Sequence, residues 1–367
     1  MNQLESSVVG YRVPLARVDK ELTKFWLNEA GEHDEPVTRT STMNFIILTA
    51  DRESLERCND IIPRISLHHP SRVILVYIDP QDETREITSF VSGNCQVSMH
   101  GNKQICCEHI TLLTGIGGSA NLSGAILPLL LPELPVFLWC PDVLLFKRLP
   151  QSEFIGVVDR LILALPGRMQ ALPDFMDWLE DIVVLSKDVR ISDITWSQLT
   201  NWREAIAQFF DDEEREHDLL NIGQVRIETG EPISTFAFLV AAWLATLLDW
   251  RLERYEAHAT GQVFSFKNST GSDVSVNIVA GEADPLLAGI KRVRIACAET
   301  SVFEAAVDNS TEISMLVKKG RHEQRHKMEL KLPQMAQLLC DELDYLKADS
   351  IYLRTIATTR QMVEAAL

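Results

Sequence analysis

Residues 125–141 read AILPLLLPELPVFLWCP, a run with four prolines and no positive charge. Each proline fixes φ and removes a backbone donor. Pro128 is compatible with the first turn of a helix, but Pro132 and Pro135 together exclude one continuous helix. The run is slightly short for a bilayer span, and Glu133 lies in its middle. What remains is a helix start, a proline-set corner, and a buried strand over Val136, Phe137, Leu138 and Trp139, with Pro141 just after it. The arrangement offers no nucleophile, acid–base pair or metal cluster, so it reads as scaffold.

The flanking segments extend this scaffold. Asn44 to Thr49 is an apolar run of strand length, and Asp51 is placed to cap the helix that follows, with Glu53 in its first turn. Arg72 to Ile78 is the next strand, ended by Asp79-Pro80; Cys95 to His100, Glu108 to Leu113 and Leu161 to Leu165 follow. Apolar strands alternating with helical stretches indicate strands buried on both faces. Beyond Pro166-Gly167 and Pro173 the pattern changes. Trp196 to Phe210 is helical, and Thr235 to Trp250 is apolar around most of its circumference. Period-two runs then occupy 262–266, 274–279, 290–298, 302–307 and 312–317, with a closing helix over 332–346.

The expected fold is therefore α/β. An N-terminal layered α/β domain with a mostly parallel or mixed sheet precedes an α+β domain with an antiparallel sheet. The expected division is a weakly structured segment over 1–41 containing a short helix from Val18, an α/β domain over 42–166, and the α+β C-terminal domain over 174–367.

Composition narrows the function classes. A formal net charge of −17 argues against nonspecific nucleic-acid binding, which needs Lys and Arg to displace counterions from phosphate. Met1 to Ala30 is polar and mixed in charge, without the apolar core of a secretory leader, and no membrane role is expected. Seven cysteines without regular spacing suit a reducing compartment, and the expected location is the cytoplasm.

Few constellations carry chemistry. Gly115-Ile116-Gly117-Gly118-Ser119-Ala120 satisfies G-x-G-x-x-A between a strand and a helix, with Asp142 near the end of the next strand, so a nucleotide-binding enzyme or sensor is the alternative function. Its other reading is a turn that packs a helix onto a sheet. Cys106-Cys107 lacks redox spacing and, with Cys140, is a redox candidate set whose plain reading is small buried residues. His68-His69 and the His322/His326 pair lack the Cys or carboxylate partners that a metal site needs, so no metal and no cofactor is expected. Lys318 to Lys331 is a basic stretch on an acidic protein, either a solvated hairpin or a contact for an acidic partner surface through Arg321, Arg325 and Lys327. Trp196, Trp202 and Arg203 are of the residue types that anchor interfaces, and they are equally placed to be core.

Four segments in order resemble the glucose-6-phosphate dehydrogenase assembly protein family, OpcA. Pro128 to Pro141 is similar to its PLLLPDLPV-x-LWWP core through Pro128, Pro132, Pro135, Trp139 and Pro141, with Cys140 where the family has a second tryptophan. His69-Pro70-Ser71-Arg72-Val73 resembles HPARV. Asp159-Arg160-Leu161-Ile162 resembles the start of DRLIVDS, with Ala164 and Leu165 replacing its last acid and serine. Asp193 to Arg203 resembles DLNWARLTPWR, with Ile194 and Thr195 inside it. The resemblance spans His69 to Arg203. It implies a non-catalytic partner of glucose-6-phosphate dehydrogenase that favours the active oligomer. On this reading the proline run is a structural signature, and the partner contact lies elsewhere.

Overall fold

The computed structural model describes residues 7–32, 37–39, 41–97, 104–141, 155–230, 233–281, 289–297, 301–309, 311–330, 333–345 and 347–367, with the side chains of 26–39, 94–106, 213, 214, 216, 308 and 309 outside the description. Asp142 and Lys331 lie outside the described residues, as does the Cys106 side chain. The helices are α1 (Val18–Glu32), α2 (Arg52–His68), α3 (Leu122–Ile126), α4 (Leu172–Leu185), α5 (Ile194–Gln198), α6 (Thr200–Gln208), α7 (Glu213–Leu219), α8 (Thr235–Leu247), α9 (Met335–Asp344) and α10 (Ser350–Ala366). The chain divides into two interleaved compact units. Residues 1–164, 187–194 and 334–348 form the first, and 165–186, 195–333 and 349–367 the second.

Among the described residues the first unit is built on nine strands: β1 (Tyr11–Val13), β2 (Val37–Arg39), β3 (Met43–Thr49), β4 (Ser71–Asp79), β5 (Ile87–Val97), β6 (Gln104–Gly115), β7 (Val136–Cys140), β8 (Arg160–Leu163) and β9 (Arg190–Asp193). Their order is β1-β5-β6-β4-β3-β7-β8-β9, with β2 also pairing β6. Besides the short β2, which pairs β6 in parallel, six of them form one continuous parallel series, β6-β4-β3-β7-β8-β9. Counted along the chain this is the third, second, first, fourth, fifth and sixth parallel strand, the doubly wound order. Strands β3 and β7 are buried at every position, as a sheet covered on both faces requires. Phe45, Ile47, Leu55, Val73, Leu75, Phe137, Trp139 and Leu339 share one apolar cluster with α2 and α9.

The proline run forms the expected corner with one difference. The helix α3 precedes Pro128, which sits in a 3-10 turn over Leu127–Leu129. A proline near the start of that turn costs nothing because no intrahelical donor is needed there. Asn44, fully buried on β3, then fastens the corner. Its Nδ2 donates to Leu131 O at 3.0 Å and Leu134 O at 3.3 Å, and its Oδ1 accepts from Leu131 N at 2.8 Å.

The second unit carries β10 (Ile222–Thr229), β11 (Arg251–His258), β12 (Gly261–Lys267), β13 (Asp273–Ala280), β14 (Ile290–Cys297), β15 (Ser301–Asn309), β16 (Glu312–Lys319) and β17 (His322–Glu329), ordered β11-β12-β13-β10-β14-β15-β16-β17. All neighbours are antiparallel except β10 and β13. Burial alternates along β12 and β16, so one face is covered and the other open. Helix α8 is buried along nearly its whole length and contacts β10 and β13. Phe238 on α8 meets Phe264 of β12 and Phe175 of α4 edge-on at 5.6 and 5.4 Å. Helix α10 packs on α8, α4 and β11.

Candidate functional site

In doubly wound sheets ligands bind outside the carboxyl ends of the strands, where the strand order reverses. Here that point lies between β3 and β7. The turn after β3 is Thr49-Ala50-Asp51-Arg52-Glu53-Ser54, in place of a glycine-rich fingerprint. Asp51 caps α2, its Oδ2 accepting from Ser54 N at 2.7 Å. Hydrogen bonds from Ser54 hold the Asp51 carboxyl below its ordinary range, so a negative charge already sits at the helix N-terminus. With Glu53 in the first turn, a dinucleotide pyrophosphate would meet two carboxylates.

The G-x-G-x-x-A hexapeptide follows β6, the third parallel strand, and opens the 3-10 turn Ile116–Asn121. A β-carbon at Gly115 would overlap the carbonyl oxygen of Asp82, and one at Gly117 that of Glu83. These glycines serve the close approach of the 82–85 backbone, which lies against the turn.

The motif residues His69, Pro70, Arg72, Asp159 and Arg160 gather at the opposite, amino ends of the parallel strands, while Trp139, Pro141 and Asp193 lie at carboxyl ends. Arg72 is buried on β4; its Nε donates to the buried Glu108 of β6 at 2.6 Å and its Nη1 to Leu129 O at 2.6 Å. Asp159 accepts from Val136 N at 2.8 Å, fastening the start of β7. Arg160 donates to Ser192 Oγ of β9 at 2.7 Å and to Lys347 O at 3.0 Å. Burial pushes the Arg160 guanidinium pKa down. His69 ends α2, with Nε2 3.8 Å from an Asp344 carboxylate, and burial lowers its pKa. Pro70 supplies the carbonyl that accepts from Thr42 N at 2.7 Å. These side chains set strand register and hold the proline corner.

The fourth motif does comparable work in the second unit. Trp196 is buried, donates Nε1 to Asp349 Oδ2 at 2.9 Å and lies 5.8 Å from the Tyr352 ring. Asp349 in turn caps α10, accepting from Ile351 N and Tyr352 N at 2.9 Å each. The Arg203 guanidinium lies 3.8 Å over the Trp196 ring, a cation–π contact. Trp202 is 2% exposed and points into its unit. Asp193, buried at the end of β9, belongs to the first unit. Of the candidate anchors, only Arg203 is partly open to solvent.

Cys107 and Cys140 are buried, as are Cys58, Cys297 and Cys340. Burial pushes the Cys107 thiol up and those of Cys58 and Cys297 up to about 12, which suppresses the reactive thiolate. Among the described residues no group of three or more His, Cys, Asp or Glu is placed to hold a metal ion, and no helix is long and apolar enough to cross a membrane.

The open face of the eight-stranded sheet presents a different surface. Cross-strand register aligns Glu228, Arg292, Ala306, Ser314 and Lys327 in one row and Arg226, Arg294, Glu304, Leu316 and Arg325 in the next. The small Ala306 and Ser314 between longer neighbours leave a groove of about 690 Å³. Arg325 and Lys327 line one side, Arg292 and Glu304 the other. Arg292 bridges Glu228 at 3.2 Å and Glu304 at 3.3 Å, and Lys327 meets Glu312 at 2.7 Å. Arg321 lies in the β16–β17 turn beside Gly320, whose φ of 60° suits glycine. The basic stretch was legible in sequence; Arg292 and Glu304 were not, because only strand pairing brings them to it.

Fold and site together define a doubly wound α/β protein with an acid-capped first turn, joined to a sheet whose open face carries a charged groove. Residues 42–163 match the glucose-6-phosphate dehydrogenase subunit N-terminal domain and residues 189–356 the corresponding C-terminal domain. The chain belongs to the glucose-6-phosphate dehydrogenase assembly protein family, OpcA. It is 29% identical over 196 residues to the OxPP cycle protein OpcA of Synechocystis sp., covering 52% of this chain and 39% of that protein. The protein of the same description from Nostoc punctiforme is 28% identical over 250 residues, covering 61% and 51%. The matched region thus spans about half or less of these relatives' own lengths. A solved structure described as an NADPH-dependent oxidoreductase from Desulfitobacterium hafniense superposes with a TM-score of 0.49 at 9% identity, covering 89% of this chain and 97% of that one. No functional inference follows from that likeness.

Proposed function

We propose that this protein is a non-catalytic, cytoplasmic assembly factor that binds glucose-6-phosphate dehydrogenase of the oxidative pentose-phosphate pathway and favours its active oligomer. The observation that carries the reading is the ordered pair of family matches, one on each side of the chain, both described as glucose-6-phosphate dehydrogenase subunit domains. The acid-capped turn at Asp51 supports a non-catalytic role, because the crevice where a doubly wound enzyme holds a cofactor phosphate is occupied by the protein's own carboxylate. Activation is then linkage: a factor that prefers the active oligomer tenfold shifts its population by about 1.4 kcal/mol per site. The contact falls on the open sheet face and hairpin bearing Arg321, Arg325 and Lys327, while Trp196, Trp202 and Arg203 hold the unit that presents them.

Co-purification with the dehydrogenase, followed by its activity and mass with and without this protein, tests the reading. A stable complex with raised activity or a larger active assembly is expected. Absence of any complex, with unchanged activity, refutes it. Nucleotide binding at Gly115 to Ala120 is not favoured, since the glycines there face the 82–85 backbone.

A further inference from the structure

The groove on the open sheet face has the chemistry of a peptide site. Its floor is small or apolar at Ala306, Ser314 and Leu316, and its charged walls are solvent-exposed, Arg325 at 77% and Lys327 at 66% of the side chain. The groove is open along its length, whereas a small-molecule pocket encloses most of its ligand. That points to a macromolecular occupant. Arg325 and Lys327 stand two residues apart on the same face of β17, about 6.7 Å along the strand. Acidic residues at alternate positions of an extended chain have the same spacing and face the same way.

The charges support an anionic occupant. From Lys318 to Glu329 there are five Lys or Arg (Lys318, Lys319, Arg321, Arg325, Lys327) against two Glu (Glu323, Glu329), on a chain of net charge −17. Arg292 is held by Glu228 and Glu304, whereas Arg325 pairs with Glu323 at 2.8 Å and Lys327 with Glu312 at 2.7 Å where both cations are largely exposed. Such pairs contribute little and exchange readily for an incoming carboxylate. The positive excess of the hairpin over 318–329 on an acidic protein also steers an acidic partner to this edge of the sheet.

We infer that the groove between β14 and β17 binds an extended segment of a partner protein carrying acidic residues at alternate positions, held by Arg325 and Lys327 along one side and by Arg292 on the other. The inference rests on the proposed partnership for the partner's identity, but the groove's chemistry stands by itself.

Two measurements on the full chain separate the two. The first uses fluorescence anisotropy with a labelled eight-residue peptide alternating Glu and Val, and a Lys–Val peptide as control. Binding of the acidic peptide only is expected, weakened at least tenfold between 50 and 300 mM salt and at least tenfold in R325E/K327E. Ser314→Phe, which fills the floor without changing charge, should weaken it comparably. Both variants are checked by circular dichroism for wild-type folding. The second repeats dehydrogenase co-purification with R325E/K327E. Acidic-peptide binding that both variants leave unchanged, or no binding by the wild type at low salt, overturns the groove assignment. So does a dehydrogenase complex that R325E/K327E forms as well as wild type, and that outcome leaves the partnership intact. Peptide binding at the groove without any wild-type dehydrogenase complex supports the groove and refutes the partnership.

Discussion

Arg72→Met is the sharpest test of how the first unit is held together. The side chain is 3% exposed and its partner Glu108 is fully buried, with Nε 2.6 Å from Oε2; a second branch meets Asp19 at 3.1 Å and Leu129 O at 2.6 Å. Removing one member of a buried pair leaves the other charge without its partner, which costs about 3–5 kcal/mol. That is roughly two to nearly four orders of magnitude in the unfolding equilibrium. The loss of the Leu129 carbonyl contact acts in the same direction and frees the end of the 3-10 turn before the proline corner. Urea unfolding followed by circular dichroism measures the sum. Hydrogen exchange of peptides from β3, β4 and β7 reads the first unit separately from the second. The double variant Arg72→Met with Glu108→Leu removes both charges, and replacing a buried pair with apolar side chains is often neutral. It should therefore be more stable than Arg72→Met alone. A single variant costing under about 1 kcal/mol, or a double variant less stable than the single, refutes a buried pair that holds the corner.

Asp349→Ala removes the cap of α10 and orphans the Trp196 indole donor, for about 2–4 kcal/mol in thermal or urea unfolding, and Asp349→Asn should recover most of the cap. Gly117→Val forces a side chain onto the Glu83 carbonyl and should destabilise by about 1–3 kcal/mol, while calorimetry of the wild type with NAD, NADP and ATP should show no micromolar binding. Burial lowers the His109 pKa to about 4, so the unfolded chain binds the extra proton first; stability on the order of 3 kcal/mol is present above pH 6.5 and lost as pH falls from about 6.5 to 4, a slope that His109→Gln should remove from pH-dependent urea midpoints. The buried thiols, with Cys340 pushed up to about 11, should react with a thiol reagent only on unfolding, and fast native labelling of Cys107 or Cys140 would revive the redox reading.

Periodicity and punctuation, which are local, made much of this fold legible. Apolar runs named the buried strands Asn44 to Thr49 and Arg72 to Ile78 because a sheet covered on both faces tolerates no polar alternation there. Alternation from Gln262 onward named a sheet covered on one face, and prolines set the corner before Val136 because they forbid anything else. Motifs named the family without saying what their residues touch. Strand order, and with it the reason the glycine hexapeptide lies off the switch point while Asp51 occupies it, was decided by pairing between segments far apart in the chain. The same holds for Arg72 meeting Glu108, Trp196 meeting Asp349, and Arg292 facing Lys327 across three strand spacings. A charge or an indole has the same character wherever it stands in a sequence; what it neutralises, caps or leaves open depends on neighbours that only folding supplies.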